Sequence, residues 1–558
     1  MVARDCTMKK FPVIVVTALT VSALITASQL PALANESTLK VTEISSIISG
    51  DGEGGTEIAT YHAGSKRVFT TNGAKNAIDI FDISDVSTPK KVGTLSLSPY
   101  GSDVTSVAAG KDVVVAAVHV AEKFSATGVP TTSNGKLVVF DTNGKVLSSP
   151  DILGVLPDSV SFAPNGTTAL VAIEGQPVCA KDDPATTVKE SSDYTKASDP
   201  VGGVSVVDLS NPAAPVVRFA GFDQFSVAGM RAKGIAVSSL INNVSRDFEP
   251  EFVSAVDNDF AYVTIQEANA IGRLNIGTAN FDKITRAFES RVEFVSRDTS
   301  DRDAGAGPRF YKNVVGASQP DAIATFKIGS GEYFVTANEG DAREYSCLDD
   351  DQRASALKVD SRRFPEWKKL SASAELGRAK VNPTIGDRDG DGDIDTIHLR
   401  GSNSMTMYRN GIVIWDSGEL LDRIQTQAFG VANINGSHSL SSDKSTMNYV
   451  GQDRSDDKGA EPEGVAVGMV GDRRVAILGL ERMTALAVFD ITQPSNPIFQ
   501  EWIQMLPTKA TPAKDVKYWS PEGIVFVPAD KSPSGKALII TSYELSGSLS
   551  IHQIEPRN

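Results

Sequence analysis

The stretch AEPEGVAV at 460–467 sets a carboxylate, Glu463, at the entrance of an alternating apolar run. Near-copies recur as GTEIATYH, GSDVTSVA, LPDSVSFA, EPEFVSAV, QPDAIATF and SPEGIVFV, with acids Glu57, Asp103, Asp158, Glu251, Asp321 and Glu522. A second apolar run follows each copy, and five of these runs end in an acid of their own: Glu174, Glu267, Glu339, Glu481 and Glu544. Carboxylates gathered at one place repel one another. Raised pKa values or bound cations relieve that repulsion. Many hard oxygen donors together favour calcium or magnesium over zinc. If the repeats share one register, Glu57, Asp321, Glu339, Glu463 and Glu522 become ligands of a shared cation site. The competing reading is local, since an acid after proline often bonds nearby backbone N–H groups in a turn.

A second acidic pattern is GDRDGDGDIDTIH at 386–398. Counted from Asp387, acids fall at positions 1, 3, 5, 7 and 9 (Asp387, Asp389, Asp391, Asp393, Asp395), with Gly392 at position 6 and Ile394 at position 8. This is the front of an EF-hand-type calcium loop, in which glycine permits the sharp turn. Position 12 is His398 instead of a bidentate Glu, and no helical flanks are evident. The expectation is a differently completed calcium site that stabilises a long insertion. Basic residues stand among the acids: Arg343 in NEGDAREY, Arg454 and Lys458 in QDRSDDKG, and Arg482 in LERM. Cations beside a metal suit an oxyanion such as phosphate. Salt-bridged scaffolding is the alternative for each of them.

The elements that must position these residues are short strands. Runs rich in Val, Ile, Thr and Phe alternate with period two and are broken by Gly, Pro, Asn and Asp. The phrases IDIFDISDVSTPKKVG, VSVVDLSNPAAPVVRFAG and LAVFDITQPSNPIFQEW repeat a strand–Asp–turn–strand unit. With the acid-headed runs they make seven four-stranded units, which predicts an all-β, seven-bladed β-propeller. The units are longer than a minimal blade of about 40–45 residues, so long inter-strand insertions are expected. The largest covers about 340–402 and carries the calcium loop, with smaller ones after Cys179 and around 277–316. The early strand at 39–48 has no unit of its own and is expected to pair with the last blade.

The chain has 558 residues, 54 Lys+Arg and 69 Asp+Glu. Arg4, Lys9 and Lys10 precede an uncharged run from Phe11 to Ala27, and Ala32-Leu33-Ala34 gives a small-residue cleavage pattern. Residues 1–34 therefore read as a secretory signal peptide, leaving 35–558 as a single propeller exported to a periplasmic or extracellular space without stable membrane insertion. Removing 1–34 takes away three bases and one acid, which leaves 51 Lys+Arg against 68 Asp+Glu. That sign opposes sequence-independent nucleic-acid binding. Cys179 and Cys347 remain; one disulfide and two free buried thiols are both compatible with the sequence.

The stretches TANEGDAREY, GDRDGDGDID, RSDDKGAEPEGV and GLER, and PEGI followed by SYELSG, resemble the choice-of-anchor I domain family. That family is related to mesenchyme-specific cell-surface glycoproteins of biomineralising animals, and many members are labelled alkaline-phosphatase-like. The resemblance implies a seven-bladed propeller and brings no settled reaction. Two functions follow. One is a calcium-dependent phosphoesterase, with Arg343, Arg482 and Lys458 holding a phosphorylated small molecule or other oxyanion. The other is a non-enzymatic, calcium-loaded binding or mineral-associated surface protein. A monomer is expected in both. Zinc phosphatase chemistry is disfavoured, because the five histidines are scattered at 62, 119, 398, 438 and 552. Asp158-Ser159 reads as a blade start, and no nucleophile elbow is present.

Overall fold

A computed structural model describes residues 37–182 and 189–557. The expected signal peptide at 1–34 lies outside the described residues.

Seven four-stranded antiparallel sheets carry the fold. Their innermost strands are Ala59–His62, Asp103–Ala109, Pro157–Phe162, Pro250–Ala255, Ile323–Ile328, Pro462–Val470 and Pro521–Val527. Each of these strands neighbours the next, and Pro521–Val527 returns to Ala59–His62, so the strands form a closed circuit. Closure is made by the chain's opening strand. Leu39–Ile48 pairs antiparallel with Ser548–Pro556 (Val41 opposite Ile554) and completes the seventh sheet, as its lack of a unit suggests.

The second strand of each sheet, such as Val114–His119, Thr168–Ile173 and Ala537–Tyr543, is apolar on both faces because each sheet packs between two neighbours. The core therefore lies between sheets. Tyr262, Phe334 and Tyr408 stack in sequence across the fourth and fifth sheets, with ring centroids 4.4 and 4.5 Å apart. Burying each such ring contributes roughly 1.5–3 kcal/mol.

Insertions supply the remaining structure. The fifth sheet breaks between Gly331–Asn338 and Ser404–Arg409. The intervening chain joins the segment after the fourth sheet in a five-stranded sheet that runs through Glu289–Arg291, Val314–Ala317, Ile397–Leu399, Lys380–Val381 and Gln352–Arg353. This unit has its own apolar core, which includes Tyr311, Leu357, Phe364, Leu376 and Ile397. A disulfide joins Cys179 to Cys347, 168 residues apart with Cα atoms 5.6 Å apart, and ties the loop between the second and third strands of the third sheet to this insertion. Of the two states open to these cysteines in the sequence, the bonded one is the structure's. Another insertion, after the fifth sheet, is missed by the sequence reading. It contains the helix Leu420–Phe429, which buries Leu420, Leu421 and Ile424, and the loop at 451–461.

Candidate functional site

The recurring acids reach one place through a repeated local geometry. In four sheets the innermost strand is bulged just after its proline: between Pro157 and Val160, Pro250 and Val253, Pro462 and Val465, and Pro521 and Ile524. The acid is the first bulged residue, so it is turned out of the ladder. Two residues before the acid, Leu156 in the third sheet, Gln319 in the unbulged fifth, Glu461 in the sixth and Ser520 in the seventh adopt left-handed backbone conformations with φ of 55°, 41°, 54° and 67°. Each costs about 1–2 kcal/mol for a side-chain-bearing residue. In return, their carbonyls accept the N–H groups of Glu174 (3.0 Å), Gly340 (3.1 Å), Glu481 (2.9 Å) and Glu544 (3.0 Å). This brings the second set of acids to the same face as the first.

Neighbouring innermost strands are close-spaced. A Cβ on Gly464 would lie 2.4 Å from the Glu522 carbonyl oxygen, so the glycine of PEG is required there. At the third sheet the same junction is made by a hydroxyl: Ser159 Oγ donates to the Glu251 carbonyl at 2.7 Å.

Two cavities open on these acids. The inner one, about 120 Å³, is lined by Glu57, Asp158, Asp321, Glu463 and Glu522. The outer one, about 600 Å³, shares Asp158, Asp321, Glu463 and Glu522 and adds Glu251, Glu267 and Glu339. One of the seven repeats departs from the expected register. Asp103 pairs opposite His119, is exposed, and lines neither cavity; Thr105 takes the acid's place in the inner one.

Among the described residues the side chains of Glu57, Asp158, Glu251, Asp321, Glu463 and Glu522 make no hydrogen bond. The turn-capping reading of these acids therefore fails at all six. Burial, reinforced by Glu544, Asp103 and Asp158, pushes the Glu57 carboxyl up to about 8. Burial alone raises Asp158 to about 7. Glu251 is held well above the ordinary range by burial and by Glu174 and Glu267; Glu463 is held there by burial and by Glu339, Glu522 and Glu481.

At one point carboxylate oxygens converge. One oxygen each from Glu339, Glu463 and Glu481 can be chosen so that all lie within 4.8 Å of one another. Glu463 Oε2 is buried there without a hydrogen-bond partner. Glu339 is oriented by Gln266 Nε2 at 2.7 Å and by Lys458 Nζ. Glu481 Oε1 accepts from Ser520 Oγ at 2.8 Å. Three oxygen donors, one of them unsatisfied, fit a hard divalent cation.

The loop at 451–461 and Arg482 bring cations to the same cavity, and they meet on Glu461. Arg454 Nε donates to Oε1 at 2.7 Å, Arg482 Nε donates to Oε2 at 2.9 Å, and Lys458 Nζ lies 3.5 Å from Oε2. Burial would raise the Glu461 carboxyl, but Lys458, Arg454 and Arg482 outweigh it and hold it at about 2. Glu461 is not distinguished in the sequence reading; its local signal is Arg454 and Lys458, which precede it in RSDDKGAE.

The structure corrects the role expected of Arg343. Its guanidinium is fully buried and spent on scaffolding: Nε donates to Glu249 at 2.9 Å, Nη1 to Asp350 at 3.1 Å, and Nη2 to the Asp247 carbonyl. It lines neither cavity, and its complete burial keeps it from a phosphate there. Lys458 and Arg482 do line the outer cavity.

In the acidic loop, Asp387, Asp389 and Asp395 present oxygens within 4.8 Å of one another, whereas the exposed Asp391 and the half-buried Asp393 stay outside that group. Asp387 accepts the N–H groups of Gly390 (2.7 Å) and Gly392 (3.0 Å). His398 belongs to the adjoining strand and is buried beside Glu289 at 3.4 Å, so it does not complete the loop.

Fold and site together define an all-β propeller with an acid-lined central channel. The chain belongs to the choice-of-anchor I domain family, whose profile matches residues 57–494. Membership goes with export, and among the described residues no helix is long and apolar enough to cross a membrane. Comparison with curated proteins returns no match. Among solved structures, the chain is similar to Kuenenia stuttgartiensis hydrazine synthase, with 10% identity, 89% of this chain and 95% of that chain covered, and a TM-score of 0.43. It is also similar to the Cps50 (Swd1) β-propeller domain of Myceliophteria thermophila, with 8% identity, 92% and 99% covered, and a TM-score of 0.39. Virginiamycin B lyase from Staphylococcus aureus has 10% identity, 92% and 99% covered, and a TM-score of 0.40.

Proposed function

We propose that this protein is an exported calcium-binding propeller whose ion is held by Glu339, Glu463 and Glu481, with Asp321 and Glu522 beside it, and that it acts on phosphomonoesters at this mouth. The observation that carries the reading is the buried, unpartnered Glu463 Oε2 within a group of three carboxylates. Calcium, when bound, supplies a Lewis acid that polarises a phosphoryl oxygen. Arg482 is the cation able to orient the anion, since its side chain is 35% exposed, against 10% for Lys458. Lys458 and Arg454 fix Glu461 and, through it, the shape of the rim. Burial, with Glu481 and Glu57 beside it, holds the Glu522 carboxyl well above the ordinary carboxylate range. The Asp387–Asp389–Asp395 loop is a second calcium site, peripheral to the channel. A monomer in the periplasm or outside the cell, with no nucleic-acid partner, fits the excess of acid and the disulfide.

A second reading, a calcium-loaded binding protein without turnover, is favoured by the way Glu461 absorbs the nearby cations. An assay on a chromogenic phosphomonoester with calcium, with chelator, and with Glu463→Gln separates the two. Calcium-dependent hydrolysis that the substitution abolishes supports the esterase. Calcium binding without hydrolysis leaves the binding protein.

A further inference from the structure

The three carboxylates of the Glu339–Glu463–Glu481 group differ in what neutralises them. Glu463 Oε2 has no hydrogen-bond partner. Glu481 Oε1 lies 3.2 Å from Arg482 Nη1, but the shorter bond of Arg482 is to Glu461, outside the group, at 2.9 Å. Glu339 is different: Lys458 Nζ donates to its Oε1, and the other carboxylates near that ammonium, Asp341 and Glu461, are farther away at 3.2 and 3.5 Å. Lys458 is thus the protein cation whose nearest carboxylate belongs to the group.

An ammonium and a divalent ion held on one carboxylate repel each other, and burial sharpens that repulsion. Glu339 is 6% exposed and Lys458 8%. Both Glu339 oxygens are engaged, since Oε2 accepts from Gln266 Nε2 at 2.7 Å. The ammonium has a way out. Asp341 lines the outer cavity, its side chain is 51% exposed, and it is already within ion-pair distance of Nζ. The flexible four-carbon stem of lysine can carry Nζ from Glu339 to Asp341 by rotation alone. Glu461 would not be stranded, because Arg454 and Arg482 remain on it.

We infer that Lys458 is the resident counter-ion of the channel-mouth site: it occupies Glu339 while the site is empty and yields to Asp341 when a divalent ion arrives. The inference rests on the calcium reading of this group and adds to it what sets affinity and selectivity. A monovalent ion would exchange one unit of charge for another and gain nothing by evicting Lys458. A divalent ion gains one unit. Lys458 therefore weakens calcium binding and, in the same act, keeps monovalent ions out.

The test is calorimetric titration of the metal-free protein with calcium chloride, at low and at high sodium chloride, for wild type, Lys458→Met, Lys458→Gln and Glu463→Gln. The event of interest is the one that Glu463→Gln removes. Both neutral variants at Lys458 should bind that ion about tenfold tighter than wild type, the scale on which a nearby unit charge acts on a bound ion. Sodium should weaken calcium binding more in these variants than in wild type. Damage to the fold would weaken binding, so a gain in affinity is not explained by misfolding, and either neutral variant serves if the other does not fold. Wild-type or weaker affinity in the neutral variants overturns the role of Lys458, and equal sodium sensitivity overturns its selectivity. If Glu463→Gln still loses an ion in that case, the calcium site stands without Lys458. Wild-type stoichiometry in Glu463→Gln overturns the site and this inference together.

Discussion

Glu461 and Glu463 are two residues apart and occupy opposite electrostatic environments. Glu461 is fully buried among Arg454, Lys458 and Arg482 and is held at about 2. Glu463 faces the channel, its Oε2 has no partner, and burial together with Glu339, Glu522 and Glu481 holds it well above the ordinary range. The left-handed turn at Glu461 and the bulge after Pro462 send the two side chains into these separate surroundings. One carboxylate is saturated with protein cations; the other is left for a cation from solution.

Substitution of the two residues should therefore have opposite effects. Glu461→Gln strands three cations around a neutral amide and is expected to cost about 3–5 kcal/mol, the usual penalty for breaking a buried charge network. Glu463→Gln relieves repulsion and should leave metal-free protein as stable as wild type or more so. Urea denaturation in chelator measures both.

Metal-free protein should lose stability as pH rises. Glu57, Asp158 and Glu339 titrate at about 8, 7 and 7 when folded, above the ordinary carboxylate values they regain on unfolding. Between about 4.5 and 8 the folded chain thus holds more protons than the unfolded one, and stability falls with increasing pH. Melting temperature in chelator should decline steadily from pH 5 to 8. Added calcium should flatten that decline.

Arg343 and Arg482 should separate cleanly. Arg343→Met leaves Asp247, Glu249 and Asp350 unpaired and is expected to cost about 3–5 kcal/mol while calcium stoichiometry stays at the wild-type value. Arg482→Ala should change stability little and weaken binding of a phosphate-bearing ligand. Thermal melts beside ligand titrations read both effects.

The disulfide holds the Glu344–Tyr345 and Leu348–Asp349 hairpin against the third sheet's loop. Cys347→Ser should cost about 2–5 kcal/mol. The same loss should appear in wild type under reducing conditions and be absent from the variant, as differential scanning would show.

Much of this architecture was legible because the repeat is local. A proline and an acid followed by an apolar run announce the start of the innermost strand, so Asp158, Glu251, Glu463 and Glu522 could be read as blade starts from the sequence, while the bulge that turns them out of the ladder could not. Asp103 misled because its copy lacks the proline, and the bulge there falls two residues later, at Thr105. Arg343 misled for a different reason. Its partners Asp247 and Glu249 lie 96 and 94 positions earlier, and no local pattern reveals that they enclose it. The contrast between Glu461 and Glu463 was hidden as well, because it depends on a backbone reversal and on a loop folding back over the mouth. The helix Leu420–Phe429 was overlooked among strand signals, although its buried Leu420, Leu421 and Ile424 have helical spacing.

The central claim is that Glu463 helps hold a calcium ion at the channel mouth. Calorimetric titration of metal-free wild type and Glu463→Gln with calcium tests it most directly. The variant is expected to bind one ion fewer while the Asp387–Asp389–Asp395 loop still fills. Equal stoichiometry and affinity in the two proteins would contradict it.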